Sequence, residues 1–125
     1  MSAMVRITVG PVVVQAVFNE TRCSSDILSK LPLTAPFNKW GDECYFEVPV
    51  MDALDETATT DVRVGDIGYW PPGNALAIFF GPTPLSSGKE PVPAGAVNVV
   101  GKITGDATVL RNTKDTTFIS LEQIS

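Results

Sequence analysis

Turn-forming residues interrupt this chain at short intervals, and their spacing limits the folds open to it. Gly10-Pro11, Pro32, Gly41-Asp42, Gly65-Asp66, Pro71-Pro72-Gly73 and Gly105-Asp106 separate apolar segments too short for long helices but of strand length. Val5, Ile7 and Val9 alternate with Arg6 and Thr8, the period of two that puts one face in a core and the other in water. After Gly10-Pro11 a β-branched run resumes over 12–18, which predicts a hairpin. Phe37 to Trp40, the Gly41-Asp42 turn and Glu43 to Val48 predict a second. Val62 and Val64 flank Arg63 as a short strand before Gly65-Asp66, and Ile67 to Trp70 make another. Pro72 and Gly73 suit the centre of a type II turn.

Ala75 to Phe80 has no polar member, as expected of a strand buried on both faces or lining an apolar groove. Val97, Val99 and Ile103 are placed on one side of a further strand, and Phe118, Ile119 and Leu121 on a last one. Ser24-Ser25-Asp26 can cap a helix carrying Ile27, Leu28 and Leu31 until Pro32 stops it, and Gly105-Asp106 opens a helical turn through Leu110. About eight strands with one or two short helices predict a mainly β protein closed into a barrel.

At 125 residues, 44% of them hydrophobic, the chain suits one domain over 1–125 with residues 1–3 outside the ordered part, disordered or tag-like. Nine Lys and Arg against fourteen Asp and Glu give a net charge of -5, which disfavours nucleic acid and anionic membranes as partners. The longest apolar run, Ala75 to Phe80, is far below membrane-spanning length. The first residues lack the pattern of an export signal, so a cytoplasmic location is expected, with Cys23 and Cys44 reduced. The absence of histidine removes the commonest general base and transition-metal ligand. No metal or cofactor is expected.

Ser86-Ser87-Gly88-Lys89 falls short of a phosphate loop, since prolines intervene and Glu90 stands where the magnesium-binding hydroxyl belongs. Asp66 beside Gly65 fits a corner residue bonding its own backbone. The acidic stretch from Met51 to Thr60 lacks the glycine of a calcium loop and reads as a solvated loop or one helical turn. From Gly81 to Gly95 the chain carries Pro82, Pro84, Pro91 and Pro93, a composition that forms neither ladder nor helix and suits the wall or lid of a site. Trp40, Tyr45, Tyr69, Trp70, Phe79 and Phe80 either plug the barrel or line a pocket. The polar tips of the four Trp and Tyr residues favour a rim.

Asn38-Lys39-Trp40-Gly41-Asp42-Glu43-Cys44-Tyr45-Phe46-Glu47-Val48, the corner Gly68-Tyr69-Trp70-Pro71-Pro72-Gly73, Phe79-Phe80-Gly81-Pro82-Thr83-Pro84 and the strand Asn98-Val99-Val100-Gly101-Lys102 closely resemble a family of small prokaryotic cyclophilin-like proteins. The resemblance covers nearly the whole chain and implies an eight-stranded cyclophilin-like barrel closed by helices. It also relates the chain to the peptidyl-prolyl isomerases, in which an arginine polarises the amide of a bound proline peptide. The matching positions here are Tyr45-Phe46-Glu47 where those enzymes carry Phe-His-Arg, and Val97 stands where many carry histidine. Phe80 matches an aromatic of the proline pocket and Phe79 precedes it. The leading expectation is therefore a binding module whose apolar groove, formed by Phe80, Phe79, Tyr45, Trp70, Trp40 and Val97, takes a peptide or small molecule. An isomerase with Arg63 as an unusual polarising group is the first alternative. A structural module that pairs with itself as a homo-oligomer, or with another chain, is the second.

Overall fold

The computed structural model describes residues 2–113 and 116–125. Strands β1 (Ala3–Val9) and β2 (Val12–Phe18) form the first hairpin, turning at Gly10 with φ +58°. Helix α1 (Arg22–Leu28) follows, then β3 (Leu33–Pro36), β4 (Asn38–Lys39), β5 (Glu43–Glu47), β6 (Ala58–Thr59) and β7 (Asp66–Trp70). After a 3-10 turn at Pro71–Gly73 come β8 (Ala75–Phe79) and β9 (Val97–Ile103), and a second 3-10 segment, Ala107–Thr113, precedes β10 (Phe118–Gln123).

The strands make one antiparallel sheet in the order β3-β10-β1-β2-β9-β7-β8-β5-β4, with the short β6 attached to β9. The two ends of that order, β3 and β4, are consecutive in the chain. The sheet therefore closes on itself through 33–39, whose first half pairs with β10 and whose second half pairs with β5. Counted as one strand bent at Phe37, this segment brings the wall to eight strands, the mainly β barrel expected from the turn spacing. No helix among the described residues is long and apolar enough to cross a membrane.

Inward residues follow the period of two. Val5, Ile7 and Val9 from β1 meet Ala16 and Phe18 from β2, Phe46 from β5 and Ile78 from β8 in one core. Cys23 and Ile27 of α1 and Leu110 of the second 3-10 segment join it. Both cysteines are free and buried, and burial pushes their thiols up to about 11 for Cys23 and about 12 for Cys44. They act as small apolar side chains.

Several local expectations are corrected. Ala3 lies inside β1, buried and paired with Phe18, because the sheet extends to it; Met1 is outside the described residues. The helix cap is Thr21, whose hydroxyl accepts from the Ser24 N–H at 3.2 Å, so Ser24 and Ser25 lie within the helix. Asn19 fixes that cap, accepting from the Thr21 hydroxyl at 2.8 Å while donating to the Val99 carbonyl at 2.7 Å. No strand forms around Arg63, because its N–H goes to the Asp66 carboxylate at 2.8 Å and that of Asp61 to the Thr59 hydroxyl at 2.9 Å. The Pro72-Gly73 turn is 3-10, and Asn74 takes the left-handed conformation with φ 48°.

Val97 and Ile103 face opposite sides. A bulge opposite Ile67 and Gly68 shifts the alternation of β9, leaving Val97 outside while Val100 and Ile103 enter the core.

Gly101 faces Phe18, and a Cβ there would stand 2.8 Å from the Val17 carbonyl oxygen and 3.0 Å from the Phe18 ring. Gly101→Ala is expected to cost about 1–3 kcal/mol in urea unfolding through overpacking. Gly105→Ala, with nothing within 4 Å of the new methyl, should stay within about 0.5 kcal/mol of the parent.

Candidate functional site

Strand β8 is apolar on both faces, and each face does something different. Leu76 and Ile78 point into the barrel, and Phe80 follows them, while Ala77 and Phe79 belong to a second apolar cluster outside it. On the outer face the neighbours are set by register: Tyr45 of β5 lies opposite Ala77, Glu43 opposite Phe79, and on the other side Gly68 and Trp70 of β7 lie opposite Ala77 and Ala75. Three small residues thus line up beneath larger flanking ones, which leaves a trough across the sheet.

Two further segments make it a cleft. Val97 leans over Gly68, where a Cβ would come within 2.6 Å of its Cγ2, so only glycine at 68 lets Val97 reach this side. The proline-rich stretch between β8 and β9 folds back with Pro93 and Ala94 as a wall, and Trp40 closes one corner from the β4–β5 turn. The resulting cavity of about 280 Å³ is lined by Trp40, Glu43, Tyr45, Trp70, Ala75, Ala77, Phe79, Pro93, Ala94 and Val97.

The wall is braced. The Thr83 hydroxyl donates across the loop to the Val92 carbonyl at 2.6 Å, and the Thr83 N–H donates to Ser86 Oγ at 2.9 Å. At its foot, Asp42 donates its N–H to Pro82 O at 2.9 Å, and its carboxylate is held by Arg111 at 2.8 Å. Trp70 is confined between two glycines: a Cβ at Gly73 would approach its ring to 2.8 Å, and one at Gly95 its Nε1 to 3.3 Å.

Of the residues singled out from sequence, Phe79, Tyr45, Trp70, Trp40 and Val97 line this cleft. Phe80 does not: strand alternation turns it into the barrel core, while Phe79, equally buried, packs in the outer cluster beneath the cleft. Tyr69 also faces inward, fully buried, with its hydroxyl donating to the Val50 carbonyl at 2.7 Å and accepting from the Asp52 N–H at 3.1 Å. Arg63 is exposed beside Asp61 at 3.4 Å, and none of Arg6, Arg22, Arg63 and Arg111 lines the cleft.

Glu43 was not among the sequence candidates. It is 7% exposed, and its Oε1 is buried with no hydrogen-bond partner among the described residues. Burial pushes its carboxyl up to about 7, and no other lining residue carries charge. In the sequence it is the charged first residue of the strand that follows the Gly41-Asp42 turn, where a solvated side chain is the ordinary expectation. The signal that could have found it is its period of two with Tyr45, which places both on one face.

A small closed antiparallel barrel carrying an aromatic-walled cleft on its outer face defines a cyclophilin-type architecture. The chain belongs to the Cyclophilin-like family, whose model matches residues 3–122. It is similar to a hypothetical protein of Archaeoglobus fulgidus, AF2241, at 31% identity and a TM-score of 0.82 over 98% of this chain and 95% of that one. The structure of McbB in complex with tryptophan shares the fold at 18% identity and a TM-score of 0.68, over 94% of this chain but only 44% of McbB. No curated protein matches the sequence.

Because Glu43 titrates at about 7 in the fold against an ordinary value of 4.5, the folded state carries more protons across that interval. Its contribution to stability therefore falls as pH rises from 4.5 through 7. Glu43→Gln should be more stable than the parent at pH 8 by about 2 kcal/mol, the linkage value discounted for water at the cleft mouth, and nearly equal to it at pH 4.5. Urea denaturation of both proteins across this range checks the difference in slope.

Proposed function

We propose that this protein is a binding module whose outer cleft takes a small planar aromatic molecule. The observation that carries this reading is the set of half-buried rings from Trp40, Tyr45 and Trp70 around a floor of alanines and the buried Phe79, which offers stacking and edge contacts to a flat apolar ligand. A cavity of about 280 Å³ suits one or two fused rings better than a length of polypeptide, and the braced proline wall restricts its extent. McbB, which shares the fold over 44% of its own length and was solved in complex with tryptophan, is compatible with an aromatic ligand.

The isomerase reading finds less support. Polarising a prolyl amide needs a fixed positive group beside it, and the one ionisable carboxyl in the cleft has the wrong sign.

Trp40 and Trp70 are the only tryptophans and both line the cleft, so intrinsic tryptophan fluorescence reports on it directly. Titration with 3-methylindole should give a saturable change with a dissociation constant on the order of 100 µM, while a proline-containing tetrapeptide should give none. Ala77→Leu, which fills the floor, should weaken indole binding at least about tenfold with the circular dichroism spectrum retained. No saturable change with 3-methylindole up to about 5 mM would overturn the proposal.

A further inference from the structure

We infer that the natural ligand is an aromatic amine lacking a carboxylate, whose protonated nitrogen pairs with Glu43 while its rings occupy the space between Tyr45, Trp70 and Phe79. This rests on the binding function proposed above and names the ligand class for the same cleft.

The fold leaves one polar atom of the cleft unused. Glu43 contributes nothing to the barrel core, and its Oε1 is buried without a partner at the edge of an otherwise apolar cavity. A buried carboxylate without a counter-charge is costly, and an apolar residue opposite Phe79 would suit the sheet better. A cation delivered by a ligand removes that cost. A neutral apolar ligand increases it by displacing water from the same carboxyl.

The surrounding charges leave this role to the ligand. On its own strand Glu43 has Tyr45 and the exposed Glu47 as same-face neighbours. In the preceding turn, Asp42 is engaged by Arg111 at 2.8 Å. On β4, Lys39 is exposed and sits in register with Cys44. Strand β8 carries no titratable side chain, and the wall residues Pro93 and Ala94 carry none. Desolvation alone accounts for the upward displacement of the Glu43 carboxyl, with no charged neighbour opposing it.

The same inventory argues against an amino acid. A ligand carboxylate would share an apolar cavity with Glu43 and meet no lysine or arginine in its lining. The net charge of -5 adds a long-range preference for cations. The faces of Trp40, Tyr45 and Trp70 are compatible with an ammonium group through their quadrupoles. Because Glu43 lies near half-ionisation at neutral pH, amine binding should expel the remaining proton, so affinity for the amine rises as pH is raised through 7.

Fluorescence and calorimetric titrations with tryptamine, tryptophan and 3-methylindole at pH 6 and pH 8 test this. At pH 8 tryptamine should bind about tenfold more tightly than either of the others, and the preference should shrink at pH 6. Glu43→Gln should bring the ratio of tryptamine to 3-methylindole affinity close to 1. With the parent protein alone, calorimetry at pH 7 in two buffers of different ionisation enthalpy should show about half a proton released on binding tryptamine, and proton uptake, never release, with 3-methylindole. Equal affinities for tryptamine and 3-methylindole at pH 8, or an undiminished ratio in Glu43→Gln, would overturn the amine assignment and leave aromatic binding standing. Failure of all three compounds to bind would overturn both.

Discussion

The pairing of β8 between β5 and β7 holds the two apolar surfaces of this protein in fixed relation. One face of β8 supplies Leu76 and Ile78 to the barrel core, and the other supplies Ala75, Ala77 and Phe79 to the cleft. A strand with a solvated face would need polar residues at alternate positions. Here the alternation is between bulky inward residues and mostly small outward ones, so the cavity exists because volume is withheld along a single row. Shifting the register by one residue would exchange the two surfaces, which ties the site to the barrel pairing itself.

Around that strand, irregular features extend the cleft rather than weaken the sheet. The bulge in β9 and the absent side chain at Gly68 together bring Val97 to the outer face. Side chains of the barrel hold the long connections: Tyr69 and Asn98 fix the segment after β5, with Asn98 Oδ1 accepting from the Asp55 N–H at 2.8 Å and Nδ2 donating to the Ala53 carbonyl at 3.0 Å. Thr83 performs the equivalent task within the proline-rich wall. Buried polar groups satisfied in this way give loops a single conformation without regular structure.

The chemistry of the cleft differs in sign from that of a prolyl isomerase built on a comparable barrel. Rotation about a prolyl amide is assisted by a positive group near the carbonyl or nitrogen. This cleft presents rings and one carboxyl that burial keeps near half-ionisation at neutral pH. The ligand class proposed for it, a flat apolar body with a positive charge at one end, matches that surface. Arg63 lies on the solvent side next to Asp61 and does not line the cleft.

Turn spacing and two-residue periodicity were enough to specify a barrel of short antiparallel strands, the two N-terminal hairpins and the doubly apolar character of Ala75 to Phe80, because these follow from local sterics and from which residues tolerate water. Aromatic character marked Trp40, Tyr45, Trp70 and Phe79 as barrel plug or pocket lining, the family resemblance added Val97, and proline content marked the segment from Gly81 to Gly95 as a wall. Which of Phe79 and Phe80 faces outward was not legible, since a run without polar residues carries no phase. The phase comes from pairing with β5 and β7. Glu43 escaped for a related reason: a carboxyl at the start of a strand beside a polar turn carries no sign of burial, and the cleft that encloses it is assembled from Phe79, Trp40 and the returning proline wall, which lie apart in the chain. Burial of a charge depends on contacts made across the fold, and these are decided by tertiary structure alone.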